Sequence, residues 1–141
     1  MTQEDKELLL KDLCARLTYG VKAQVLGWDE EKGEVEVPLR IYSINTDGYV
    51  YFETNDYDVN YLMVDNCLLY LRPMSSMTAE EREEFESLGW RVDELDGNVP
   101  WNHNSYNVFN GVDWLNSHHF DYRGLIEKGL AIEAPEDMYK I

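Results

Sequence analysis

The chain has 141 residues, a size that fits one compact domain with a core of its own. It carries 28 acidic and 12 basic residues, a net charge of −16 at neutral pH, and a hydrophobic fraction of 44%. This composition excludes a disordered chain, and the acidity argues against direct contact with nucleic acid or an anionic membrane, because it repels phosphate.

The acids divide evenly, fourteen in residues 1–72 and fourteen in 73–141, so the charge belongs to the whole surface and not to a tail. Solubility and attraction to another protein, one with basic groups, are the expected consequences. No apolar run approaches the roughly 18 residues of a membrane span. The opening "MTQEDKELLLKDL" lacks the basic start and long apolar stretch of an export signal, so a cytoplasmic location is expected. Cys14 and Cys67 sit in apolar contexts and form no CxxC pair; they read as two reduced, buried thiols.

In chain order, Thr2 is placed to cap a helix whose first turn carries Glu4 and Asp5. Leu9, Leu10, Leu13 and Leu17 recur at helical spacing, and Gly20 is a natural stop. From Val21 the period becomes that of a strand. "VKAQVLGW" alternates, and in "EVEVPLRIY" Val35, Val37, Leu39 and Ile41 share one face. Pro38 inside that run predicts an edge or a bulge. Asp47-Gly48 signals a hairpin, and Asp65-Asn66 a turn between "VNYLMV" and "CLLYLRP". The expectation is a meander of about five short strands that curls up or packs on a helix.

Arg72-Pro73 ends the strands. Thr78 with Glu81 forms a capping box, and Glu80, Glu81, Glu83, Glu84 and Glu86 follow on a helix held by Phe85 and Leu88 and stopped by Gly89. "WRVDEL" suggests another strand, and "DGNVPWNHNSYNVFNG" a long loop. "VDWLNSHHF" reads as a short helix and "LAIEAP" as a last strand. The chain thus divides into an N-terminal helix (1–19), a β-region (20–73), an acidic helix (78–89) and a loop-rich closing segment (90–141), all in one domain. The fold class is α+β: a small bent antiparallel β-sheet or SH3-like barrel, with an N-terminal helix, a charged second helix and a C-terminal helix/strand closing segment.

"LCARLTYGVKAQV", "YLRPMSSMTAEEREEF" and "DWLNSHHFDYRGLIEKGLAIEAPEDMY" together resemble an uncharacterised family of small acidic proteins encoded by gut Bacteroidales and by their phages and prophages. The resemblance spans essentially the whole chain. It implies a small intracellular protein carried on mobile elements, and no activity, cofactor or catalytic residue.

The residues themselves offer three candidate sites. Tyr49, Tyr51, Tyr57 and Tyr61 in the strands, with Trp101 and Tyr106 in the loop, are candidates for a partner-binding surface, although cross-strand packing uses the same residues. Glu80, Glu81, Glu83, Glu84 and Glu86 could imitate the phosphates of DNA in the cleft of a host defence protein; a solvated helix face is the plainer reading. His118, His119 and Asp121 are weak metal candidates. Adjacent histidines on a helix point about 100° apart, and no HExxH pattern is present. The plainer reading makes 113–135 a lock, with Phe120, Tyr122 and Leu125 in the core and Gly124 at a sharp turn. No nucleophile has a neighbouring base and no glycine-rich phosphate cradle exists, so no catalytic residue and no cofactor is expected. The leading expectation is a non-catalytic protein that binds another protein. A DNA-mimic inhibitor and a metal-dependent enzyme at His118 and His119 are the alternatives.

Overall fold

A computed structural model describes residues 1–88, 90–91, 101–102 and 108–139. Helix α1 spans Gln3–Arg16, and the Thr2 hydroxyl accepts from the Asp5 N–H at 3.1 Å, as the sequence predicts. A 3-10 turn, Leu17–Tyr19, ends at Gly20 with φ 77°, a left-handed value that glycine adopts without strain.

Five strands follow: β1 (Lys22–Asp29), β2 (Gly33–Ile44), β3 (Tyr49–Phe52), β4 (Tyr61–Met63) and β5 (Leu68–Pro73). The first four form an antiparallel meander. β5 does not turn back on β4. A 3-10 turn at Val64–Asn66 carries it across to the free edge of β1, with Ala23 opposite Leu69. Pro38 sits where β2 pairs with β1 alone. Pairing to β3 begins only at Ile41, with a register shift before Ser43, so the strand has both the open edge and the irregularity that proline predicts.

Helix α2 (Ala79–Glu86) carries both halves of the capping box, Glu81 N to the Thr78 hydroxyl and Thr78 N to the Glu81 carboxylate. Strands β6 (Trp90–Arg91) and β7 (Trp101–Asn102) form a separate small pair. Of the expected long loop, 108–111 belong to the helix that follows and correct that expectation, while 96–100 and 103–107, with Gly89, lie outside the described residues. Helix α3 (Val108–Ser117) is followed by β8 (Phe120–Asp121) and β9 (Ala131–Glu133). Both of these strands run parallel to β5 along the edge that β1 leaves free.

The large sheet has seven strands in the order β4-β3-β2-β1-β5-β8, with β9 also on β5. It is open. The expected α+β class with an N-terminal helix holds, with an open, mostly antiparallel sheet in place of a closed barrel, and the reason is local: β8 and β9 occupy the edge of β5 that would have to meet β4. Among the described residues, no helix is long and apolar enough to cross a membrane.

Two clusters make the core. Leu9 and Leu13 of α1 pack on Val21, Ala23, Val25, Ile41, Val50 and Leu69 from the sheet, with Leu125 and Leu130 from the closing segment. Met74, Phe85, Trp114, Leu115 and Phe120 form the second, under α2 and α3. Cys67 is buried, and burial pushes its thiol up to about 12. Cys14 is exposed, which corrects the expectation that both thiols are buried.

Candidate functional site: an aromatic sheet face and a cleft at the closing segment

Alternation along the strands decides which tyrosines meet solvent. Val25 and Ala23 point inward, so Leu26 and Trp28 point outward, and their β2 partners Glu36 and Glu34 share that outer face. Tyr42 follows at even spacing. Across the irregularity, Tyr51 lies opposite Ser43 on β2 and Tyr61 on β4, so Tyr49, Tyr51 and Tyr61 continue the same face. Tyr61 meets Tyr49 edge-on at 5.7 Å and Tyr51 at 6.0 Å. Four large side chains here are more than half exposed: Tyr42 at 73%, Trp28 at 70%, Leu26 at 58% and Tyr61 at 54%. Six residues of β2 separate Glu36, opposite Leu26, from Tyr42, which is roughly 20 Å at about 3.3 Å per residue. The face therefore carries two exposed groups, Leu26 with Trp28 at one end and Tyr42 with Tyr61 at the other, with Glu34 and Glu36 beside the first and Arg40 between the two.

Tyr57 is not part of this surface. Its ring lies over Gly27, where an added Cβ would come within 2.8 Å of it, so it fills the space left by a missing side chain on the inward face. Trp101 is in β7, and Tyr106 lies outside the described residues.

The two histidines face different partners. The His118 ring stacks on Trp114 at 4.0 Å and its Nδ1 donates to the Trp114 carbonyl at 2.9 Å. His119 stacks on Tyr139 at 3.6 Å. Asp121 spends both oxygens on the backbone N–H groups of Leu125 and Ile126, each at 2.9 Å, closing the turn that Gly124 begins with φ 73°. Among the described residues, no three His, Cys, Asp or Glu side chains are placed to hold an ion. The three metal candidates thus do not converge. Phe120 and Leu125 are fully buried, as the lock reading requires, but Tyr122 is only partly buried, its hydroxyl donating to Asn116 Oδ1 at 2.9 Å.

His119 is nevertheless unusual. It is 6% exposed, its Nδ1 has no hydrogen-bond partner, and its φ is 64°, a left-handed value uncommon for any residue but glycine. It occupies the position just past α3 where glycine is the usual choice. Its carbonyl is held by the Arg72 N–H at 2.7 Å. Burial, and then the positive charges of Arg16, His118, Arg72 and Lys22, push its imidazole down to about 4. Tyr139 donates to the Tyr70 carbonyl at 2.7 Å and accepts from the Lys22 N–H, and burial pushes its phenol up to about 12.

His118, His119 and Tyr139 line a cleft of about 780 Å³, together with Arg72, Glu81, Glu133 and Glu136. Arg72 grips Glu81 with both terminal nitrogens, at 2.7 and 2.6 Å. Burial alone would raise the Glu81 carboxyl, but Arg72 and the Thr78 cap outweigh it and hold it down at about 2. The acidic helix is correspondingly less free than its composition implies. Glu84 accepts from the Trp114 indole at 3.0 Å, and Glu86 lies 3.8 Å from Arg82. Glu80 and Glu83 are exposed.

Sequence reasoning missed one polar cluster. Asp12 and Arg16 are both fully buried and paired at 2.8 Å; Arg16 also donates to the Phe120 carbonyl at 2.6 Å, and Arg123 reaches Asp12 at 3.1 Å. The only trace in the sequence is the four-residue spacing, which on most helices marks a solvated pair. This cluster ties α1 to the closing segment.

No family model matches the chain, and neither a curated protein nor a solved structure does.

Proposed function

We propose that this is a non-catalytic accessory protein that binds another protein through the outer face of its sheet. The observation that carries the reading is the exposure on one face of Leu26 and Trp28 at one end and of Tyr42 and Tyr61 at the other. Tyrosine and tryptophan give large contact area for little lost side-chain freedom. Glu34 and Glu36 opposite Trp28 and Leu26, and a net charge of −16, favour a partner with basic groups and a fast encounter. The resemblance to small proteins of gut Bacteroidales phages and prophages adds a setting, carriage on a mobile element inside the cell, in which the partner is a host protein. We also read the strand order, with its helical turn before β5, as an SH3-like arrangement left unclosed.

The acidic helix supports a DNA-mimic inhibitor less well, because Glu81, Glu84 and Glu86 already have partners within the fold. The two readings separate by mutation. Affinity capture from host lysate is run with the native protein, with Trp28→Ala/Tyr42→Ala/Tyr61→Ala and with Glu80→Gln/Glu83→Gln. A partner lost by the aromatic variant and kept by the glutamine variant is the expected result. A partner kept by the aromatic variant would overturn the assignment.

A further inference from the structure

Among its described lining residues, the cleft at the closing segment has two carboxylates without an ion pair. Its volume, about 780 Å³, is in the range of small-ligand sites. Arg72, which lines it, is paired with Glu81 at 2.6 Å, and Arg16 and Lys22 are not among its lining residues. Ser76 and Ser117 donate their hydroxyl protons to backbone carbonyls, and His118 donates from Nδ1 to the Trp114 carbonyl. Glu133 and Glu136 line the cleft, are exposed, and have no ion-pair partner among the described residues.

A second observation marks the same place. His119 is buried with an unpartnered Nδ1 and a left-handed backbone. Each feature is unfavourable to folding on its own, and such features gather at ligand sites because surrounding structure must hold them there. Its ring and that of Tyr139 give the cleft an aromatic wall. A neutral imidazole and a phenol with its hydroxyl turned to the backbone leave that wall free of positive charge.

We propose that this cleft binds one cationic head group, a guanidinium or a primary ammonium, held by the carboxylates of Glu133 and Glu136 beside the His119–Tyr139 ring pair. Charge pairing and contact of the cation with aromatic faces are the recognising forces. The head group has two sources, an arginine or lysine side chain on a protein or a free amine.

The test is an NMR-monitored titration of the native protein with Nα-acetylarginine amide, Nα-acetyllysine amide and the uncharged analogue Nα-acetylcitrulline amide. Saturable shifts around residues 117–119 and 133–139 are expected with the two cations and not with citrulline. Glu133→Gln/Glu136→Gln changes two exposed side chains, keeps the fold, and is expected to weaken binding at least about tenfold. Absence of saturation, equal binding of citrulline, or unchanged binding by the glutamine variant each overturns the proposal. Agmatine and a short Gly-Gly-Arg-Gly-Gly peptide separate the sources: tighter peptide binding points to a protein side chain, tighter agmatine binding to a free amine. Trp28→Ala/Tyr42→Ala/Tyr61→Ala is expected to keep this binding, so failure of either surface leaves the other standing.

Discussion

Removing the Asp12 carboxylate tests what joins the N-terminal helix to the closing segment. Asp12 receives Arg16 Nε at 2.8 Å and Nη2 at 3.2 Å, and Arg123 Nε at 3.1 Å. Arg16 is fully buried, so Asp12→Ala leaves a guanidinium without a counter-charge and without water. Breaking a buried pair in this way costs about 3–5 kcal/mol, a large part of the 5–15 kcal/mol that holds a typical domain. Arg123 is different: its side chain is a quarter exposed, so Arg123→Ala is expected to cost only about 1 kcal/mol or less. The double change Asp12→Leu/Arg16→Met removes both buried charges. Its remaining penalty is the Phe120 carbonyl, which loses the 2.6 Å bond from Arg16 and costs about 1–3 kcal/mol. The double variant is therefore expected to be more stable than Asp12→Ala. Urea unfolding followed by tryptophan fluorescence measures all three. If Asp12→Ala cost under about 1 kcal/mol, or if the double variant were the least stable, the buried pair would not be what holds the segment.

Phe120→Ala is expected to cost about 3–5 kcal/mol in the same assay, since the ring is fully buried between Trp114 and the Arg72 guanidinium. With a thiol reagent, the native protein should show one fast cysteine, Cys14, and Cys67 only on unfolding; a Cys14→Ser variant then shows none while folded. Stability should fall as pH drops from 6.5 towards 4, because the unfolded chain accepts a proton that His119 refuses, for a loss of at most about 3 kcal/mol. His119→Asn, which tolerates the same backbone, should flatten that interval. Below it, loss should resume as the Glu81 carboxyl, protonated near 4.5 in the unfolded chain and about 2 in the fold, gives up its pair with Arg72.

The elements were legible because each rests on a local pattern. Leucines at helical spacing gave α1, alternation gave β1 and β2, and Thr78 with Glu81 gave the start of α2. Neighbour relations were not, since alternation says which side of a strand is apolar and nothing about the next strand. That is why β5 read as the partner of β4 although it lies against β1. The same limit applied to Tyr57, which shares its composition with Tyr49 and Tyr61 but covers Gly27 from the inward side.

The cleft was less legible still, because its walls come from four separated stretches around residues 72–81, 117–119, 133–136 and 139. The one local trace is the residue that stands where glycine belongs. "SHHF" gives no sign that a helix ends at Ser117 and that the second histidine must adopt a left-handed backbone. A histidine there gives up the freedom of glycine and buries a nitrogen without a partner. Folds tend to break such local rules where a site requires the side chain more than the chain requires ease of turning. The lock reading explains Phe120 and Leu125, whose burial needs nothing further. His119 lies outside that explanation, and it lines the cleft that Glu133 and Glu136 also line.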